Sequence, residues 1–199
     1  MIPTYDFITA LKFAAHAAGK KSVRYYLNGV LFRFGSDFLE LVATDGHRIA
    51  KICLKVNDCL LKGDYIVENE SVKAVLGAVK TKQGDPTRVL LKKGPLPGLI
   101  SLISETVSLT LETIDSKYPA FERTLPSADP IGAPTIGINS EYLAEAARAF
   151  KSLTNAKFQA VAIDTWDAGR GMRLRSVPDT PRLSAISGEV IVYIMPMRL

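Results

Sequence analysis

Leu39-Glu40-Leu41-Val42-Ala43, Thr44-Asp45-Gly46-His47-Arg48 and Ile49-Ala50-Lys51-Ile52-Cys53-Leu54 follow one another without a break, and their reading decides the fold. Leu39, Leu41 and Ala43 alternate with Glu40 and Val42. Ala50, Ile52 and Leu54 alternate with Lys51 and Cys53. A period of two predicts a strand on each side. Between them Asp45-Gly46 supplies a tight turn or bulge that glycine enters without steric cost. A plain hairpin accounts for such a turn. A catalytic pair of Asp45 and His47 does not, since no activated nucleophile or orienting third group accompanies it and no G-x-S-x-G occurs.

Upstream, Phe7, Leu11, Ala14, Ala15 and Ala18 fall at helical spacing, with Lys12, His16 and Lys20 turned away from that stripe. Thr4 or Asp6 is the expected cap and Gly19 the expected stop. Residues 22–34 then read as strand, Gly35-Ser36-Asp37 as a turn, and the hairpin strands follow to about Val56. Downstream the order repeats. A short strand at 64–67 precedes a helix capped by Asn69, with Val72, Val75, Leu76 and Val79 on one face. Strands at 87–93, 98–103 and 106–114 come next, separated by Gly94-Pro95, Pro97-Gly98 and Ser104-Glu105.

Residues 118–133 change character, with prolines at 119, 126, 130 and 134, and read as a linker with a domain boundary near 126–134. A third copy follows: strand at 135–138, a cap at Asn139 or Ser140, and a helical stripe of Leu143, Ala146, Ala147, Phe150 and Leu153. Glu141 and Glu145 lie early in that helix, Arg148 and Lys151 late, as the helix dipole favours. Strands at 160–165, 171–176 and 189–195 complete it. The chain therefore reads as three strand-helix-three-strand units with a period of about 65 residues, which must pack unit on unit to bury their sheets.

Composition narrows the function classes. With 199 residues, 47% of them hydrophobic, the chain holds one large or two small domains. No run of about 18 apolar residues is present to span a membrane. The amino terminus lacks the basic and apolar regions of a signal peptide. Cys53 and Cys59 are the only cysteines and two histidines the only others of that kind, so neither a disulfide framework nor a zinc site is expected. No metal, cofactor or catalytic residue is assigned, and both thiols are expected reduced in a cytoplasm. The net charge of +5 leans modestly toward an anionic partner.

Thr44-Asp45-Gly46-His47-Arg48-Ile49 resembles the T-D-G-H-R-L segment of the bacterial sliding clamps, the beta subunits of DNA polymerase III. Three further stretches resemble that family in the same order. They are Val23-Arg24-Tyr25-Tyr26-Leu27-Asn28-Gly29, then Asp115-Ser116-Lys117-Tyr118-Pro119 through Leu125-Pro126, then the terminal Met195-Pro196-Met197-Arg198-Leu199. The resemblance implies an α+β DNA-clamp fold, with helices on the inner face and antiparallel sheets outside. Two units make a domain, three domains a chain, and two chains a ring around duplex DNA. Residues 1–126, as units of about 1–60 and 61–126, resemble the family's middle domain. Residues 127–199 resemble a shortened last domain, and the amino-terminal domain has no counterpart.

The same resemblance implies a non-enzymatic processivity factor that tethers DNA polymerase and other clients by short peptides, and that a clamp loader places on DNA. Its client pocket would use Leu27, Thr44, Gly46, His47, Arg48, Ile49, Pro126, Met195, Pro196, Met197, Arg198 and Leu199. Met195 and Met197, unbranched and polarizable, suit varied clients. Arg24, Tyr25, Tyr26 and Phe158 match family residues that touch DNA, while Gln159 and Glu70 stand where the family has basic residues. Lys12, Lys20, Arg148 and Lys151 are candidates for loose phosphate contact without base reading. Counting units, four chains of three restore the family ring of twelve. The rival expectation is a clamp-like module that forms no ring and diverts clamp clients.

Overall fold

The computed structural model describes residues 1–57, 59–125, 136–153, 160–166, 170–177, 186 and 188–196. Three times the chain runs from a helix into three antiparallel strands. The first pass is β1 (Ile2–Pro3), α1 (Thr4–Ala15), β2 (Gly29–Phe34), β3 (Phe38–Thr44) and β4 (Arg48–Lys55). The second is β5 (Gly63–Glu68), α2 (Asn69–Ala78), β6 (Arg88–Lys93), β7 (Leu99–Ile103) and β8 (Ser108–Ile114). The third is α3 (Ser140–Lys151), β9 (Val161–Thr165), β10 (Met172–Ser176) and β11 (Ile191–Ile194). All the described strands join one sheet in the order β1-β6-β7-β8-β5-β2-β3-β4-β11-β10-β9.

Two features of that order position everything else. The strand that precedes each of the first two helices crosses to the other unit: β5 pairs with β2 along six residues, and β1 pairs with β6 at Ile2–Val89. The third unit then continues the first through β4 and β11, where Ile49 faces Tyr193 and Arg48 faces Ile194. The sheet is buried on both sides around this seam. Val30, Phe32, Leu41, Ala43, Ala50, Ile52, Val192 and Ile194 join the helices in the main core. On the opposite face Leu31, Val42, Ile49, Ile66, Ile191 and Tyr193 pack with Tyr118, Phe121 and Trp166. Arg33 clamps the 3-10 turn Phe121–Thr124 onto that face by bonding Asp64, Glu40 and Glu122. Burial pushes the Glu122 carboxyl up, but the Arg33 hydrogen bond outweighs it and holds it below the usual carboxylate range.

Several boundaries differ from the sequence reading, each for a local reason. Residues 22–28 are a loop with a 3-10 turn at Tyr25–Leu27, not strand. The Asn28 side chain closes it by accepting from the Ser22 N–H and donating to the Ser22 carbonyl, at 2.8 and 2.9 Å. Neither Thr4 nor Asp6 caps α1: both are buried, and the Thr4 hydroxyl accepts from that of Thr87. Asn69 likewise does not cap α2, because its side chain donates to the Gly19 carbonyl at 2.7 Å. Asn139 does cap α3, accepting from the Glu141 N–H at 2.9 Å. The α3 stripe is Leu143, Ala146, Ala149, Phe150 and Leu153, with Ala147 exposed. The segment before α3 packs Ile136 and Ile138 against the main core, and the second half of the expected linker, 126–133, lies outside the described residues, as does Pro134.

His16 is the clearest correction. It was expected to face away from the core, yet α3 covers it. Phe13 meets Phe150 edge to face at 5.6 Å, and the His16 ring lies 5.7 Å from Phe13 with its Nδ1 donating to the Phe13 carbonyl. The other ring nitrogen is buried without a partner. Burial, with Arg48 nearby, pushes the imidazole pKa down from 6.5 to about 4 despite the Phe13 carbonyl and Asp45. The unfolded chain thus takes up this proton near pH 6.5 and the folded chain only near 4. Stability is full above the first value and is lost as pH falls toward the second. Between pH 7 and 5, urea denaturation should lose about 1–2 kcal/mol on this account. His16→Leu should flatten that slope; an unchanged slope would assign it elsewhere.

Candidate functional site

The turn between β3 and β4 is built by its own polar atoms. The Asp45 carboxylate accepts from the His47 N–H at 2.9 Å and the Arg48 N–H at 3.2 Å. The Thr44 hydroxyl donates to the Arg48 carbonyl and accepts from the Gly46 N–H, at 2.7 and 3.0 Å. Gly46 sits at φ +94°, a region that L side chains avoid, and a Cβ there would lie 2.5 Å from the Arg24 guanidinium. The tip is thereby fixed, with Gly46 and His47 exposed and Thr44, Arg48 and Ile49 beneath them.

Two elements of the third unit close on this tip. The Met195 N–H donates to the His47 carbonyl at 2.8 Å, extending the β4–β11 seam by one bond. From the other side α3 brings Tyr142 and Glu145. Tyr142 stacks on His47 with ring centres 6.2 Å apart and lies 4.8 Å under the Arg48 guanidinium. Arg48, buried, also pairs with Asp45 at 3.2 Å and with Glu145. A buried guanidinium flanked by two carboxylates and an aromatic face is the arrangement that makes such a charge tolerable.

Of the expected pocket residues, the structure thus brings together Thr44, Gly46, His47, Arg48, Ile49 and Met195, while Pro196 lies beside Gly171. Leu27 is adjacent in role only: it is buried, and its carbonyl accepts from Gly19 at 2.8 Å. Pro126, Met197, Arg198 and Leu199 lie outside the described residues, as does Phe158. Four contributors were missed in the sequence. Tyr142 and Glu145 gave only a helix pattern, and Tyr193 and Trp166, stacked at 6.0 Å with Arg173 5.1 Å over the indole, gave no motif.

The expected DNA-contact residues that are described fall in three places. Lys12, Lys20 and Arg148 line one groove of about 470 Å³ between α1 and α3, beside His16 and Glu145. Lys151 is exposed at the end of the same α3. Arg24 instead lies over Gly46, and Tyr26 packs against the outer-face cluster, so both stand on the hairpin side. Tyr25 is exposed and lines a separate recess with Glu68 and Glu70. Among the described residues no group of three His, Cys, Asp or Glu side chains converges to hold a metal, and no helix is long and apolar enough to cross a membrane.

Arg48→Leu leaves Asp45 and Glu145 without their counter-charge against α3. It should cost about 2–4 kcal/mol in denaturant titration, discounted from a fully buried pair because both carboxylates are partly solvated. Glu145→Gln, which keeps a hydrogen-bonding oxygen, should cost less than half of that. Equal and small losses in both would show that the guanidinium does not hold the hairpin to α3.

Comparison with known proteins bears on this architecture directly. Residues 1–120 match the family model described as DNA polymerase III beta subunit, central domain. The beta sliding clamp of Vibrio cholerae is 32% identical over 154 residues, 77% of this chain and 39% of that protein. That of Escherichia coli K12 is 28% identical over 145 residues, 72% of this chain and 37% of its own. The chain thus spans about two-fifths of the length of these relatives. In structure it resembles the DNA polymerase sliding clamp of Pseudomonas aeruginosa, with a TM-score of 0.78 at 18% identity, covering 98% of this chain and 65% of that one. The DNA polymerase III beta subunit of Thermotoga maritima gives 0.77 at 14% identity, covering 100% and 65%. The fold is therefore the α+β clamp fold, and with its central-domain match over residues 1–120 the chain belongs to the DNA polymerase III beta subunit family.

Proposed function

We propose that the chain acts as a non-catalytic processivity clamp, holding DNA polymerase and other clients by short peptides while it encircles duplex DNA. The observation that carries this reading is the hairpin tip at 44–48. It is stitched to the carboxyl-terminal strand by Met195 and to α3 by Arg48. Rigid backbone with an exposed glycine, an exposed imidazole and a half-buried methionine beside an apolar cluster suits an apolar peptide anchor. Met197 to Leu199 and Pro126 would complete the walls. In this reading residues 1–126 act as one two-unit domain and 127–199 as a shortened second one.

The opposite side suits DNA. Lys12, Lys20 and Arg148 share a groove on the helix face, remote from the sheet's outer cluster, and Lys151 extends their row. Contact from such side chains reads phosphate rather than sequence, as sliding requires. Glu145, the acidic side chain lining that groove, is turned to Arg48, and Lys12, Lys20 and Arg148 outnumber it there. Four chains would restore a ring of twelve units, and a loader would place it on DNA.

A peptide carrying one leucine and one aromatic anchor should bind with a dissociation constant of about micromolar. Each anchor contributes roughly 1.5–3 kcal/mol, and association costs offset much of it. Deleting Met197 to Leu199 should abolish that binding and leave the circular dichroism unchanged; retained affinity would remove the pocket from this place. Duplex DNA binding should ignore base sequence and weaken steeply with salt. Light scattering should give four times the 21.7 kDa chain mass. A monomer that still binds the peptide would favour the module that diverts clients without forming a ring.

A further inference from the structure

Within the chain each unit lends its pre-helix strand to the other. β5, just before α2, lies beside β2; β1, just before α1, lies beside β6. β2 and β6 are the first strands after their helices, so the position is the same in both units. In the third unit that position is β9. Its one strand neighbour among the described residues is β10, and it ends the eleven-strand order.

The inner face of β9 is also open at Ile163, while Val161 on the same face packs against the main core. Ile163 stands opposite Leu174 and therefore points to the same side. Leu174 is buried in the main core, whereas Ile163 is 55% exposed. In the first unit the corresponding side chains Val30 and Phe32 are fully buried. There α1 and α2 pack against each other over the sheet, so two helices share the cover. Among the described residues the third unit supplies one helix, α3. On the other face Asp164 is held by Arg173 at 2.8 Å and Arg175 at 3.0 Å.

We propose that a second copy of this chain fills this edge by reciprocal exchange: its residues 136–138 add beside β9, and it receives the same segment in return. The occupant follows from the repeat. The segment directly before α3 is the third unit's counterpart of β1 and β5, and neither of those pairs with the post-helix strand of its own unit. It is already extended, with Gly137 in a β-bridge, and a strand has two edges to offer. Three residues suffice, since β1 makes the equivalent junction with two. A two-fold pair of third units would then reproduce, between chains, what the first two units do within one. Its second α3 would come over Ile163, and the outer-edge N–H and C=O groups of β9, which pair with no other strand among the described residues, would find partners. This supplies one of the two contacts that the four-chain ring of the proposed function needs, and rests on that reading only for the ring's closure.

Light scattering at tens of micromolar tests it, with Ile163→Lys as the variant, since a lysine on an edge strand blocks pairing without touching the core. Wild type should run at two or four times the chain mass, and Ile163→Lys should halve it with unchanged circular dichroism. Hydrogen exchange on the wild type gives a readout that does not depend on the variant's folding: β9 amides should be protected like those of β2. An oligomer whose mass Ile163→Lys leaves unchanged, or whose β9 amides exchange freely, overturns the exchange while leaving the ring intact. A wild-type monomer overturns it as well, and peptide binding by that monomer would keep the client site.

Discussion

Arg48 is the charge on which the arrangement depends. Its guanidinium sits where the β3–β4 turn, the β4–β11 seam and α3 meet, and each of the three supplies something it needs. Asp45 and Glu145 give counter-charge, and Tyr142 gives an aromatic face. Removing a cation from water is costly, and the cost is recovered only if every partner stays in place. The requirement runs both ways. A tip that moved would strand Arg48, and an α3 that swung out would leave it against an apolar core. The third unit is therefore held to the first by a polar constraint as well as by strand pairing and by Phe13 against Phe150.

The sheet explains why a tip can be held so firmly. Strands that turn one face to helices and leave the other to water need only one apolar side. Here β2, β3, β4 and β11 are apolar on both, and the outer side is closed by Tyr118, Phe121 and Trp166. Arg33 holds part of that cover with three carboxylates, and burial lifts the Tyr118 hydroxyl above its ordinary pKa so that it remains a neutral member of the cluster. A hairpin sandwiched between two apolar layers has little freedom to slip register, because a one-residue slip would exchange its faces. The turn at Gly46, closed by the side chains of Thr44 and Asp45, is thus held in one register by the layers on either side.

What could be read from the sequence was the local part. Alternation in residues 39–54 placed β3, the turn and β4, and the three helical stripes placed α1, α2 and α3, because these patterns reflect burial that repeats along one element. The residues at the tip were legible for the same reason: Thr44, Asp45 and Gly46 carry their turn chemistry with them. What could not be read depended on which unit packs where. Val23 to Leu27 have the β-branched and aromatic character of a strand, yet the Asn28 side chain and the Gly19–Leu27 bond fold them into a loop. His16 has a polar residue's pattern on α1 and is covered by a helix more than a hundred residues away. Tyr142 and Glu145 looked like ordinary helix surface, and their meaning comes only from Arg48.

Glu145 also joins the two faces of the molecule. It lines the basic groove between α1 and α3 and, through Arg48, anchors the hairpin on the far side of the seam. His16 borders the same groove and feels both Arg48 and Asp45, so the groove and the tip share one electrostatic environment. Lys12, Lys20 and Arg148 are not part of that network's pairing, yet they stand around its exit. Whatever occupies the groove meets a wall whose position is set by the hairpin, and whatever rests on the hairpin meets a turn whose counter-charge is set by α3. The groove and the hairpin tip are in this way joined through the contact between Arg48 and Glu145.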